Sequence, residues 1–227
     1  MKEFTTRYRW RICGLLFFAT TINYVDRNVL SFILLNDDFI RDMLGLARDT
    51  VLSDEHRAAF KKLIGTVDAV FKGAYALGFV LMGLLIDKLG TRIGYAISIL
   101  LWGVSAIAHS LVGSVAGLRF ARIGLGIGEA GNFPAANKTI AEWFPKKERA
   151  FATGLYNSGA NVGAILAPLY VPDLAKAWGW EWAFILTGVV GFLWLIFWYA
   201  LYASPAVKLQ SGKLLQAEYD YIHSDVD

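Results

Sequence analysis

The chain has 227 residues, of which 56% are apolar and 18% charged, with a net charge of +3 and a mean hydropathy of +0.45. Soluble domains carry about 25% charge, and here the charges cluster between long apolar blocks, which excludes a water-soluble globule and points to several bilayer-spanning helices. The cations sit in short loops rather than in a basic run with interleaved aromatics, so no nucleic-acid partner is expected, and the lone Cys13 allows neither an internal disulfide nor a cysteine metal cluster.

The hydropathy pattern predicts six spans: Trp10 to Leu35, Thr66 to Ile86, Ile93 to Leu111, Val115 to Phe144, Ala150 to Val171 and Trp182 to Ala203. The first block is too long, and too polar at its centre, for a cleavable signal peptide. It holds Asn23-Tyr24-Val25-Asp26-Arg27-Asn28. Asp26 follows Arg11 by about 15 residues, roughly 22 Å of helix, which puts it deep in the hydrocarbon. Ionisable groups at that depth mostly mark a transport pathway; the alternative is an internal ion pair that only fixes helix packing. Adjacent Asp26 and Arg27 point about 100° apart, so each can serve a different partner.

Between the first and second spans, Asn36 to Gly65 reads as an external loop of mixed charge. It sets Arg41, Arg48, Arg57, Lys61 and Lys62 against Asp37, Asp38, Asp42, Asp49, Asp54 and Glu55. Ser53-Asp54-Glu55 is placed to cap a short surface helix in its second part. In span two, Lys72 either snorkels outward or adds positive potential to a cavity, and Tyr75 lies in the same outer half.

Span four contains Arg119, Arg122 and Glu129. Arg122 and Glu129 are seven apart, so they share a helix face about 10 Å apart along the axis, with Gly126 between them. A carboxyl balanced between burial and a nearby arginine can carry a proton; structural pairing is the alternative. Arg119, nearer the outer surface, is expected to snorkel. The run Gly126 to Gly131 formally matches GxGxxG, but no strand precedes it and it lies mid-membrane, so a dinucleotide site is rejected. Gly124 with Gly128, and Gly159 with Gly163, instead suit close helix packing. In span five, Asn157 and Asn161 are i,i+4 neighbours that either line a polar cavity or bond between helices. His56, His109 and His223 are read as loop and tail residues without metal spacing, and no cofactor is expected. After Ser204 the tail is polar, with a short amphipathic helix foreseen over Leu214 to Ile222.

Lysine and arginine set the topology. Lys2, Arg7, Arg9 and Arg11, then Lys88 and Arg92, then Lys146, Lys147 and Arg149, then Lys208 and Lys213 all fall on one side of a six-span chain. The opposite short loops hold only Lys176. The positive-inside rule puts that side, and both termini, in the cytoplasm of a multi-pass protein of the inner (plasma) membrane.

The segment Gly83-Leu84-Leu85-Ile86-Asp87-Lys88-Leu89-Gly90-Thr91-Arg92 resembles the major facilitator signature between the second and third helices, with its Gly, Asp, basic, Gly and basic residues in order. Asn-Tyr-Val-Asp-Arg in span one is similar to the anion:cation symporter family. Gly128 to Lys138, Ala141 to Arg149, Asn157 to Gly163, Trp178 to Phe184 and Tyr219 to Asp225 resemble its hexuronate and sugar-acid branch. The likeness covers nearly the whole chain. It implies an all-α, six-helix major facilitator N-domain of two inverted three-helix repeats over residues 1–203, followed by the start of a cytoplasmic inter-domain loop over 204–227.

The resemblance also implies roles. Asp26 and Glu129 match the proton-coupling carboxylates, Arg27 the ligand for the substrate carboxylate, Arg122 the charge partner of the span-four acid, and Tyr24 and Tyr75 the cavity tyrosines. Gly83, Asp87, Lys88, Gly90 and Arg92 match the gating motif. The expected partners are a small organic anion, the lipid bilayer and a second, C-terminal six-helix half beyond residue 227, with a proton as coupling ion. A lone half without that partner is expected not to carry out coupled transport. Sodium-driven or facilitative transport of another monocarboxylate, or a non-transporting membrane module, are the rival readings. The long loop from Asn36 to Gly65 and Lys72 depart from the family pattern.

Overall fold

A computed structural model of the chain describes residues 7–224. Lys2, both termini at Met1 and Asp227, and Asp225 at the end of the tail motif lie outside the described residues. Ten helices follow one another among the described residues: α1 (Tyr8–Ile33), α2 (Asp37–Leu44), α3 (Asp54–Leu89), α4 (Thr91–His109), α5 (Val115–Ala130), α6 (Asn132–Trp143), α7 (Lys146–Trp178), α8 (Trp180–Leu201), α9 (Pro205–Gln210) and α10 (Gln216–Ile222). The six transmembrane segments are α1, α3, α4, the pair α5 and α6, α7, and α8.

By length and composition alone, α3, α4 and α8 are apolar enough to cross a bilayer. In the fourth segment α5 and α6 are each too short by themselves, and the other two are diluted by polar residues singled out above, Asp26 and Arg27 in α1 and Asn157 and Asn161 in α7. A membrane helix tolerates charge where the bundle takes it in, so composition underrates the helices that bring charge inside. Leu77, Val80, Leu84, Ile165, Leu193 and Ile196 are exposed outer-wall residues, as lipid contact requires.

Packing follows a pairwise exchange. The first segment, α1, lies along α7, while α5 lies along α3, and α4 packs between α5 and α8. The first helix of each triplet thus rests on the middle helix of the other, as two inverted three-helix repeats would arrange them. Small residues set the spacing. A Cβ on Gly163 would stand 2.5 Å from the Thr21 carbonyl oxygen of α1, and one on Gly128 would stand 2.5 Å from the Trp102 backbone nitrogen of α4. The GxGxxG run is therefore helix-packing surface, with Gly126 against the Phe71 carbonyl of α3.

Several boundaries differ from the sequence expectation. Ser53 does cap a helix, accepting from the His56 backbone N–H at 3.3 Å while His56 Nδ1 accepts from the Ser53 N–H. That helix is the second span itself, running unbroken for 36 residues, because nothing between Asp54 and Thr66 interrupts helical hydrogen bonding. The first part of the loop is also helical: Asn36 caps α2 and Gly45, at φ 66°, ends it. Phe39 of α2 packs edge-on against Phe60 of α3 and Trp180 of α8, and Trp180 Nε1 donates to Asp42 at 3.0 Å, giving a folded outer cap.

Span four is two helices that meet at Gly131, ahead of Pro134, whose ring cannot supply a backbone donor. Span five runs on to Trp178 through Pro168 and Pro172 rather than ending at Val171. His109 is not a loop residue. It is the last residue of α4, fully buried and stacked on Phe184.

At the end where α1 and α7 begin, the tail folds back. Arg9 pairs with Glu148 of α7 at 2.9 Å and Glu218 of α10 at 3.1 Å. Glu218 also accepts from the Tyr8 and Arg9 backbone N–H groups at 3.2 Å, satisfying first-turn donors of α1. The Tyr221 hydroxyl donates to Glu148 at 2.7 Å.

Candidate functional site

Two helices, α1 and α5, carry the predicted charges, and α3 packs aromatic rings against them. From α1, Arg27 donates through Nε to Glu129 of α5 at 2.9 Å, and Glu129 is fully buried. The Arg27 guanidinium sits 4.9 Å from the Tyr24 ring, 4.8 Å from the Tyr75 ring and 5.8 Å from the Phe71 ring. Stacked aromatic faces hold a cation where water is scarce. The Arg27 side chain remains 27% exposed, so the cage has an open side. Its Nη2 and the Glu129 Oε1 bond no protein group, which leaves hydrogen-bonding capacity at the centre of the pair.

Spacing along span four and the family likeness both point to Arg122 as the charge partner of Glu129; the direct ion pair comes from Arg27, with Arg122 acting at longer range. Arg122 is 3% exposed and lies 5.2 Å from the other contact of the cage, the Phe71 ring. It acts on Glu129, Asp68 and Asp26 at longer range. Residues seven apart on a straight helix are too far separated along the axis for a direct contact, whereas α1 and α5 meet across the bundle.

Asp26 is 2% exposed, and neither carboxyl oxygen accepts a protein hydrogen bond. Its polar neighbours are Thr187 of α8 and, at longer range, Glu129 and Arg122. Thr187 spends its hydroxyl on the Ala183 and Phe184 carbonyls of its own helix. Asn157 is half-buried and Asn161 exposed. They lie on the face of α7 opposite Gly159 and Gly163, which pack on α1, so they do not reach the Arg27 centre from that side. Lys72 is exposed on α3, and Arg119 donates to Thr66 of α3 at 2.7 Å.

The signature segment forms the turn between α3 and α4. Gly90 adopts φ 79°, a conformation that favours glycine. Asp87 pairs with Lys138 of α6 at 2.8 Å, and Arg92 donates to the Tyr199 carbonyl near the end of α8 at 3.0 Å. Thr91 donates to Glu142 at 2.6 Å, and the Tyr202 hydroxyl also bonds Glu142. A Cβ on Gly83 would meet open space, and Lys88 is exposed.

Sequence reasoning missed Phe71, Asp68, Lys138, Glu142 and Thr187. Phe71 was within reach, since it precedes Tyr75 by one turn on the same face of α3.

A bundle of six membrane helices with a caged arginine, two buried carboxylates and a second buried arginine defines a polytopic membrane protein with a charged interior. The model of the Major Facilitator Superfamily matches residues 16–217, and the chain belongs to that family. It is 33% identical to a hexuronate transporter of Escherichia coli strain K12 over 214 residues, covering 94% of this chain and 45% of that protein. It is 31% identical to a galacturonate transporter of Dickeya chrysanthemi over 216 residues, covering 95% and 57%. A D-galactonate transporter of Escherichia coli O6:H1 is 32% identical over 95% of this chain and 46% of its own length.

Among solved structures, the proton:xylose symporter XylE bound to 6-bromo-6-deoxy-D-glucose superposes with a TM-score of 0.74 at 20% identity, over 98% of this chain and 50% of that one. A bacterial homolog of the human lysosomal transporter Spinster gives 0.69 at 23% identity, over 88% and 46%. The chain spans about half the length of the curated relatives it matches. The family and these relatives are transporters, not enzymes.

Proposed function

We propose that this chain is the N-terminal half of a proton-coupled symporter of organic anions, with hexuronates and related sugar acids such as galacturonate and glucuronate as substrates. The observation that carries the reading is the Arg27–Glu129 pair inside the aromatic cage of Tyr24, Phe71 and Tyr75. Three relatives carrying sugar acids support the substrate class.

The geometry suggests how coupling works. Ionised Glu129 holds Arg27. A proton on Glu129 removes that charge, and the guanidinium is then free to take the carboxylate of the substrate in a bidentate pair. Asp26 supplies the second carboxyl, with Arg122 between the two acids as the fixed counter-charge. Anion and proton then cross together as this half rocks against a second six-helix half around a midplane site. Asn157, Asn161 and the outer face of α7 lie where that second half would contribute. Both termini face the cytoplasm, the membrane is the inner (plasma) membrane, and no metal or organic cofactor takes part.

Uptake of labelled galacturonate into proteoliposomes, with the second half supplied, tests the reading. An inward proton gradient is expected to drive accumulation. Glu129→Gln is expected to abolish that accumulation while substrate exchange without a gradient persists in part. Accumulation that follows sodium instead, or that survives Glu129→Gln unchanged, would overturn the coupling scheme.

A further inference from the structure

Asp26 is buried without a protein hydrogen bond, and two more buried polar residues, Thr20 and Asn23, precede it on α1. Thr20, Asn23 and Asp26 recur every third residue of α1, about 4.5 Å of rise apart, and all three are buried. Asn23 is fully buried, and neither its amide nitrogen nor its oxygen has a hydrogen-bond partner. Together Asn23 and Asp26 present four polar atoms that no protein group satisfies. Buried polar groups in native proteins are rarely left so, and clusters of this kind bind ordered water.

The far end of the line is fixed. The Tyr95 hydroxyl of α4 donates to Asn132 Oδ1 of α6 at 2.5 Å, and Asn132 Nδ2 donates to Thr20 Oγ1 at 3.3 Å. All three side chains are buried. The direction matters. Tyr95 gives its hydrogen to Asn132, Asn132 gives one to Thr20, and the hydrogen of the Thr20 hydroxyl is then unspent. It lies about 4.5 Å of helical rise from Asn23 and about 9 Å from Asp26. Both observed donors therefore point the same way, toward Thr20, and hydrogen bonds aligned in that sense polarise one another.

We propose that Tyr95, Asn132, Thr20 and water held by Asn23 form a one-directional hydrogen-bond rod that ends on the Asp26 carboxylate, stabilises its ionised form and so sets its proton affinity. These are positioning residues; none touches the anion. The rod deepens the coupling role proposed above for Asp26 and rests on it for its function, but not for its existence. Other groups face Asp26 as well: Arg27 beside it on α1, Arg122 and Glu129 from α5, Tyr170 from α7, and Thr187 from α8. His109 of α4 adds a further polar group near Arg122. Of these, only Arg122 and Arg27 bring positive charge, and Arg27 is spent on Glu129. The rod adds hydrogen-bond donors to these surroundings.

Infrared titration of the purified, detergent-solubilised chain tests this directly. The protonated carboxyl band is assigned by its loss in Asp26→Asn. Asn23→Leu and Thr20→Val remove donors that favour the anion, so the Asp26 midpoint is expected to move up by about one pH unit. Tyr95→Phe is expected to move it the same way by less, and Thr20→Ser to restore the original value. A folded-state melt accompanies each variant, and Thr20→Ser keeps the comparison open if Asn23→Leu does not fold.

An Asp26 midpoint unmoved in Thr20→Val and Tyr95→Phe overturns the proposal, as does an Asp26 band that never titrates in any variant. The same variants in the uptake assay separate the two readings. A moved midpoint in a transporter that ignores the proton gradient leaves the rod standing and removes the coupling role of Asp26. A proton-driven transporter with an unmoved midpoint does the reverse.

Discussion

Arg27 carries more of the site than any other single residue. Its guanidinium must reach Glu129 through Nε while lying between two tyrosine rings. A lysine keeps the charge but offers neither the planar face nor the forked donors. Arg27→Lys is therefore expected to lower sugar-acid uptake roughly tenfold or more, the equivalent of about 1.4 kcal/mol. Binding of labelled galacturonate checks it, and wild-type affinity in Arg27→Lys would show that the fork and the cage are unimportant. The four intramembrane charges were legible in the sequence because charge in hydrocarbon is costly at any position of a span. Their pairing was not legible. Which cation meets Glu129 depends on how α1 and α5 are rotated against one another, and that rotation is set by contacts far apart in the chain.

Helix packing and the docked tail each give a prediction of their own. Gly163 sits at a close approach of α1 and α7, and any side chain there meets the Thr21 backbone. Gly163→Leu is expected to cost about 1–3 kcal/mol through overpacking, seen as a lower melting temperature; an unchanged melt would mean that α1 and α7 part without penalty.

The tail adds an electrostatic device at the same end as the loop cations. Burial pushes the Glu148 carboxyl up, but hydrogen bonds from Arg9 and Tyr221 and the charges of Arg9 and Lys147 hold it below its ordinary value of 4.5. A depressed carboxyl stabilises the folded form above that ordinary value and loses the contribution as pH falls through the folded one. Acidification below about pH 4.5 is therefore expected to release α10, whereas mild alkali is not. Hydrogen exchange over residues 216–222 reads the release. Equal protection of those residues at pH 7 and pH 3 would contradict it. The docking of α10 had only a composition-level signal in the sequence, since Glu218 finds the α1 N-terminus about 210 residues away.

For the molecule as a whole, the loop cations and the docked tail share one end of the bundle. That end is expected in the cytoplasm. A cysteine placed at Lys213 should react with an impermeant reagent only from inside the cell, and labelling from outside would invert the topology. The six-helix unit also leaves the open side of the Arg27 cage and the polar face of α7 unmatched. Coupled uptake by this polypeptide as a lone monomer is not expected, and robust proton-driven uptake of galacturonate by it would refute that.

The sequence by itself determined the class of fold, the count of spans, the side on which cations gather and the identity of the intramembrane charges. Each of these follows from local chemistry: apolar length, loop charge and the cost of burying an ion. The capping signal at Ser53 was equally local and proved right as a helix start, although it opened a span rather than a surface helix. Tertiary structure alone decided that Arg27 and not Arg122 makes the direct ion pair with Glu129, that His109 is buried rather than in a loop, that span four breaks at Gly131, and that Tyr95, Asn132 and Thr20 hydrogen-bond in sequence across three helices. These outcomes depend on which faces of separate helices meet. In a bundle packed through glycines such as Gly128 and Gly163, backbone contact across long sequence separations fixes that rotation, and no spacing within one helix encodes it.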